Sequence, residues 1–377
     1  MTTHPAYRPA TLAALWSATG VLLGVLWLAV PGAYGFDRAD ERGLSLIGGV
    51  PAGVAGAVLV VLSLAGLAAA LLARRDVGGG PDTPLDARGP LGASGRLGPA
   101  GRVAVLVVAA LNAVTFLVVV PDARALVLAG YACALLGPPA VLVLLAVGAV
   151  RGTVSRVAVL VVFGALGVAL GLGGGRILAG LGGDVVAGFR ANVHIGHLYV
   201  LLSLAGGVSW AATLVGYARR RRHTPTGRAG RVATVVAALC PVPYVLIRAT
   251  WLTPWPLLMT ARELAAQPAL RVMGLCLGAA AAGGAVLTVG LIRPWGEVFP
   301  RWIPVLGGRR VPIVAAVVPG LTVAALVTAA GPSMVRIAVD SGRYAEALLF
   351  PFPVWGPALA VATLAYRSRR RAALVTA

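Results

Sequence analysis

Long apolar runs divided by short polar stretches dominate this chain, and they recur from the first dozen residues almost to the end. A helix needs about 20 mainly apolar residues to cross a bilayer, and these runs reach that length. They predict ten transmembrane helices near 11–31, 49–73, 103–120, 125–150, 157–175, 194–218, 232–251, 272–292, 312–331 and 346–366. The fold class expected is all-α: a polytopic transmembrane helical bundle forming one integral membrane domain over 1–377. The third run is short, and the turn Pro121-Asp122-Ala123-Arg124 after it predicts a close hairpin with the fourth. The first run exceeds the apolar core of a signal peptide, so it reads as a span and not as a cleaved leader. Residues 74–102, rich in Gly, Pro and Asp, read as a flexible cytoplasmic loop. Met259 to Ala266 reads as a short helix lying at the interface.

Composition changes this picture little. The chain is 59% hydrophobic and 12% charged, about half the charged fraction of a soluble domain. All of the basic side chains are arginine, which with abundant Ala, Val and Gly points to a high-GC genome. Cys133, Cys240 and Cys276 all fall in apolar runs and have no metal or redox spacing.

Charge decides orientation. Arginine-rich loops stay on the cytoplasmic side, and the densest, Arg219 to Arg231, lies between the sixth and seventh runs. With the N-terminus inside, 22 of the 32 arginines face inward, nine face outward and Arg248 falls within a run. Acidic residues divide the other way, four inside and eight outside. One missed helix would invert every later loop, so the asymmetry supports an even count, with both termini cytoplasmic in a plasma membrane. The net charge of +20 is then a matter of topology and of anionic headgroups, not of nucleic acid. Trp27, Trp251 and Trp255 fall at predicted outer ends, where indole rings favour the interface.

The predicted inner ends carry related text: Gly101-Arg102-Val, Ser155-Arg156-Val, Gly230-Arg231-Val and Arg309-Arg310-Val. A duplicated helical hairpin and a shared compositional bias both account for it. Small residues four apart allow close helix packing. They occur at Gly167, Gly171 and Gly175, and in the pairs Gly20 with Gly24, Gly49 with Gly53 and Gly274 with Gly278. Prolines such as Pro241, Pro243 and Pro319 interrupt several runs.

Three places could carry chemistry. His194 and His197 sit three apart on one helical face, near Asp184, and could share a metal or ligate haem; two hydrogen-bonded interfacial histidines are the plainer account. Arg248 is a charge inside a run, where cost usually implies a cavity or a partner; it either reaches the outer interface near Trp251 or faces an anionic substrate group or Glu263. The loop from Arg293 to Arg310 combines Trp295, Glu297, Arg301 and Trp302 with prolines. It reads as a surface anchor or partner-docking site in which Glu297 pairs Arg301 or Arg293.

That loop and the Pro243–Pro256 stretch resemble uncharacterised multi-pass membrane proteins of high-GC actinobacteria, a resemblance that implies no activity. Nucleotide-loop, HExxH and GxSxG patterns are not found, and no Asp or Glu falls inside a predicted run beyond Glu346 at the first position of the last. A typical cation-coupled carrier keeps such a carboxylate. The expectation is a non-enzymatic membrane component, an assembly partner or sensor subunit, with no cofactor and with a membrane protein as partner. The alternatives are a permease for a small or anionic solute, and a metal or haem protein using His194 and His197.

Overall fold

The computed structural model describes residues 7–36, 46–78, 97–152, 156–169, 195–218, 227–301, 306–342 and 351–375, with a few isolated positions between them. Twelve helices make up these residues: α1 Tyr7–Ala29, α2 Ala52–Gly78, α3 Pro99–Val114, α4 Arg124–Val150, α5 Arg156–Ala169 and α6 Ile195–Ala218, then α7 Arg228–Leu239, α8 Val242–Thr250, α9 Ala261–Ala266, α10 Pro268–Gly290, α11 Ile313–Asp340 and α12 Phe352–Val375. Among the described residues there is no strand, only an isolated bridge between Val298 and Arg310. The all-α expectation holds.

Seven helical segments, counting α7 and α8 as one broken span, are long and apolar enough to cross a membrane. The protein is an integral membrane protein. The expected runs at 125–150, 157–175 and 346–366 do not meet that measure among the described residues, which show seven spans and leave the count of ten unconfirmed. Pro241 and Pro243 divide the expected span at 232–251 into two helices, because proline removes a donor and crowds the preceding turn. Pro319 does not divide α11. Residues 79–96 of the expected flexible loop lie outside the described residues, while its two ends continue α2 and begin α3.

The chain forms two compact units, Met1–Ala123 with His194–Thr224 and Ala329–Ile337, and Arg124–Val193 with Pro225–Thr328 and Ala338–Ala377. In the first unit α1 and α2 run antiparallel at close range. A Cβ added at Gly24 would lie 2.8 Å from the Gly56 carbonyl oxygen, and one at Gly56 would lie 2.9 Å from that of Gly24. Ser63 packs over Gly20, and Ser17 Oγ lies 2.7 Å from where a Gly66 Cβ would be. Small residues on both faces let the backbones touch, which is how helices gain contact energy in lipid. Of the expected small-residue pairs, Gly20 with Gly24 is used in this way. Gly49 and Gly53 have no atom near enough to exclude a side chain, and Gly171 lies outside the described residues.

α3 ends in a π-helical turn, Thr115–Val119, closed by the Val120 amide donating to Thr115 O at 2.9 Å. α6 lies against it: Ser203 Oγ donates to Phe116 O at 3.0 Å, and Gly207 faces the Phe116–Leu117 backbone.

The second unit has a core in which Ala237 of α7, Leu291, Val317 and Ala324 of α11, and Leu359, Ala362 and Tyr366 of α12 pack together. Gly356 of α12 admits the α11 backbone, with Ala324 O 2.9 Å from its missing Cβ. α10 packs on α8, α7 and α4.

Candidate functional site

Helix periodicity puts Tyr244, Arg248 and Trp251 on one face of α8 and its C-cap, at positions i, i+4 and i+7. The Arg248 guanidinium carbon lies 3.9 Å from the centre of the Trp251 ring and 5.0 Å from that of Tyr244. Its stem fits the notch that Gly278 leaves on α10, where an added Cβ would lie 2.7 Å from Arg248 Cβ. Gly274 makes the matching notch for the Trp251 ring, and Arg248 Nη1 is 3.1 Å from its missing Cβ. The expected pair Gly274 and Gly278 thus receives an arginine and a tryptophan, not another backbone.

Arg271, one turn before Gly274, donates from Nε to Trp251 O at 2.9 Å. Two arginines therefore meet one tryptophan, Arg248 on its ring and Arg271 on its carbonyl. The loop that follows is fixed to the same residue, since Trp251 Nε1 donates to Leu257 O at 3.1 Å. The Leu257 amide donates to Thr250 Oγ1 at 2.9 Å. These bonds hold Leu258 at a φ of 65°, a strained region for a branched side chain.

Among the described residues the buried Nε of Arg248 has no hydrogen-bond partner, and no carboxylate forms an ion pair with Arg248 or Arg271. Glu263, the expected partner, is engaged elsewhere. Its Oε2 accepts from the Thr260 amide at 2.7 Å and from Thr260 Oγ1 at 2.8 Å, completing a capping box at the start of α9. The backbone and side-chain hydrogen bonds from Thr260 hold its carboxyl below the usual glutamate range. The sequence did contain this signal, Thr260 followed three residues later by Glu263.

Trp251 and Trp27 are 2% and 5% exposed, packed inside their own units, whereas Trp255 is 80% exposed. Their rings found closer partners than the headgroup region offers: Arg248 for Trp251, and for Trp27 the rings of Tyr34 and Tyr199, at 4.9 and 5.3 Å.

The loop after α10 is folded inward and tied down by α12. Trp295 fills the place of a Gly290 side chain. Glu297 pairs Arg369 at 3.4 Å, not Arg293 or Arg301. Arg369 also donates to Leu291 O at 2.7 Å, and Arg370 to Tyr366 Oη at 3.0 Å and to Val311 O at 3.1 Å. Tyr366 Oη donates to Gly296 O at 2.8 Å. Arg301 is exposed, and Trp302 lies outside the described residues. His194 and Asp184 also lie outside them, as does the His197 side chain. Among the described residues no group of three metal-ligating side chains occurs.

One node escaped the sequence reading because its acid was assigned to a flexible loop. Asp76, at the end of α2, is buried. Its Oδ1 accepts from the Leu97 amide at 2.9 Å and from Arg102 Nη2 at 3.4 Å, and its Oδ2 accepts from Tyr217 Oη at 2.7 Å. It joins the ends of α2, α3 and α6.

Compared with known protein families, with curated proteins and with solved structures, the chain matches none.

Proposed function

We propose that this protein is a non-enzymatic membrane component that binds an anionic group, a phosphate or carboxylate, at Arg248 and Arg271. The observation that carries this reading is the Arg248 guanidinium, held inside a span on an aromatic ring with no counter-charge among the described residues. Charge at that depth is costly unless a partner compensates it. Guanidinium matches a two-oxygen anion with its planar fork of donors. We further propose that both termini are cytoplasmic, which places this site toward the outer face of a plasma membrane and makes an anionic lipid or a membrane-protein carboxylate its natural partner. The break at Pro241, which leaves a short α8 bearing Arg248, favours as second reading a permease for an anionic solute.

The test is thermal unfolding of the full chain in nanodiscs. A higher midpoint in phosphatidylglycerol than in phosphatidylcholine, absent in Arg248→Gln/Arg271→Gln, supports lipid phosphate. The same gain from inorganic phosphate in phosphatidylcholine, together with uptake of that anion into proteoliposomes, supports the permease. Equal midpoints for parent and double variant in every condition defeat both. Labelling of a tag at residues 219–231 in intact cells by an impermeant reagent would overturn the orientation.

A further inference from the structure

We propose that the first unit seats one hydrocarbon chain of a membrane lipid in a cavity among α1, α2, α3 and α6. This goes beyond the anion site, which belongs to the second unit, and does not depend on it. The cavity holds about 220 Å³, more than the roughly 150 Å³ apolar cavity that stays dry and takes benzene. Trp16, Trp27, Phe116 and Tyr199 form its inner wall, with Trp16 edge-on to Phe116 at 5.1 Å. Two hydroxyls on that wall are already engaged, Tyr199 Oη with Ala33 O at 2.9 Å and Ser203 Oγ with Phe116 O at 3.0 Å. The surface left to an occupant is therefore nearly all carbon, which selects a chain over a headgroup or a solute.

Two further observations say where the occupant comes from. Val54 and Val58 line the cavity yet are 54% and 51% exposed. They stand on α2, one of the helices able to cross the membrane, so the mouth opens where acyl chains lie. The floor is the π-helical turn, whose Thr115, Phe116 and Val119 all line the cavity. A π turn widens a helix, and such turns recur at functional sites. Here the Phe116 carbonyl it displaces is satisfied by Ser203, so the widening is built in. An empty void would leave each wall atom without contacts on one side, and a neighbouring acyl chain supplies them.

The experiment uses the full chain in nanodiscs containing a phosphatidylcholine with a photoactivatable diazirine midway along one acyl chain, with adducts mapped by mass spectrometry. Adducts are expected on Phe116 and on Leu59, itself buried against the cavity, as well as on the outward-facing Val61. In Val58→Trp, and separately in Val119→Phe, the inner adducts should fall about tenfold, since a filled cavity offers a chain no wall to touch, while labelling at Val61 stays unchanged. Two variants are used so that the loss of fold in one, seen as an altered unfolding midpoint, leaves the other to decide. Adducts confined to Val61 and other outward positions, or inner adducts undiminished in a folded variant, would overturn the proposal. So would inner adducts abolished by a short-chain terpenoid but not by excess unlabelled phosphatidylcholine, which would assign the cavity to a different ligand.

Discussion

Asp76 in the first unit and Arg248 in the second are both charged side chains at or near the end of an apolar helix, yet they are housed in opposite ways. Asp76 is surrounded by donors, an arginine, a tyrosine and a backbone amide, and its charge is answered within the protein. Arg248 is surrounded by rings and glycines, and among the described residues its charge is answered only by the π faces of Trp251 and Tyr244. The first arrangement fastens three helix ends. The second leaves hydrogen-bonding capacity unused, which is what a binding group needs and a structural one does not. A charge in an apolar helix thus reads as structural or functional by whether its partners lie inside the chain.

The sharpest way to break this contrast is Asp76→Ala. It removes the shared acceptor of Arg102 and Tyr217, and the variant should lose about 2–3 kcal/mol of stability, less than a fully buried pair because Arg102 is partly exposed. Arg248→Met, which keeps the stem and removes the charge, should cost no more than about 1 kcal/mol, the cation–π contact being offset by relief of an unpaired charge. Unfolding in detergent monitored by circular dichroism compares the two, and an equal loss would erase the distinction. Next in size is Tyr217→Phe, which removes one hydrogen bond to Asp76 and should cost about 1 kcal/mol. Its effect should vanish in the Asp76→Ala background, and a double-mutant cycle reads that coupling directly.

The smallest expected effect concerns pH. The folded Glu263 carboxyl lies below its unfolded value, so it supports the α9 cap above the unfolded value and loses that support as pH falls through the folded one. Amide exchange at Glu263 and Leu264, corrected for intrinsic rates, should speed up over that acidic window; Thr260→Ala, which keeps the backbone donor and loses the hydroxyl, should weaken the dependence, and Glu263→Gln should remove it. Protection unchanged by acid in the parent would contradict the capping role.

How much of this was readable in advance depended on how local the cause was. Apolar length gives the seven spans that the described residues show, and the place of Arg248 in one follows from the text alone. Pro241 and Pro243 likewise foretold the break between α7 and α8. The Arg248–Glu263 pairing failed because Thr260, three residues away, offers Glu263 two hydrogen bonds with almost no chain to close. Glu297 went the other way: its partner Arg369 is 72 residues distant, and no spacing rule reaches that far. Asp76 was missed because Gly and Pro after it suggested a loop, whereas α2 continues to Gly78.

Composition and period alone therefore made this an all-helical protein of the membrane, because a polypeptide in hydrocarbon must satisfy its backbone within each helix. Which charges are neutralised, which glycines admit a ring or a backbone, and where a wall of carbon encloses a void were settled only when distant helices met. Those contacts join residues tens of positions apart, and their energies depend on distances that no one-dimensional pattern records.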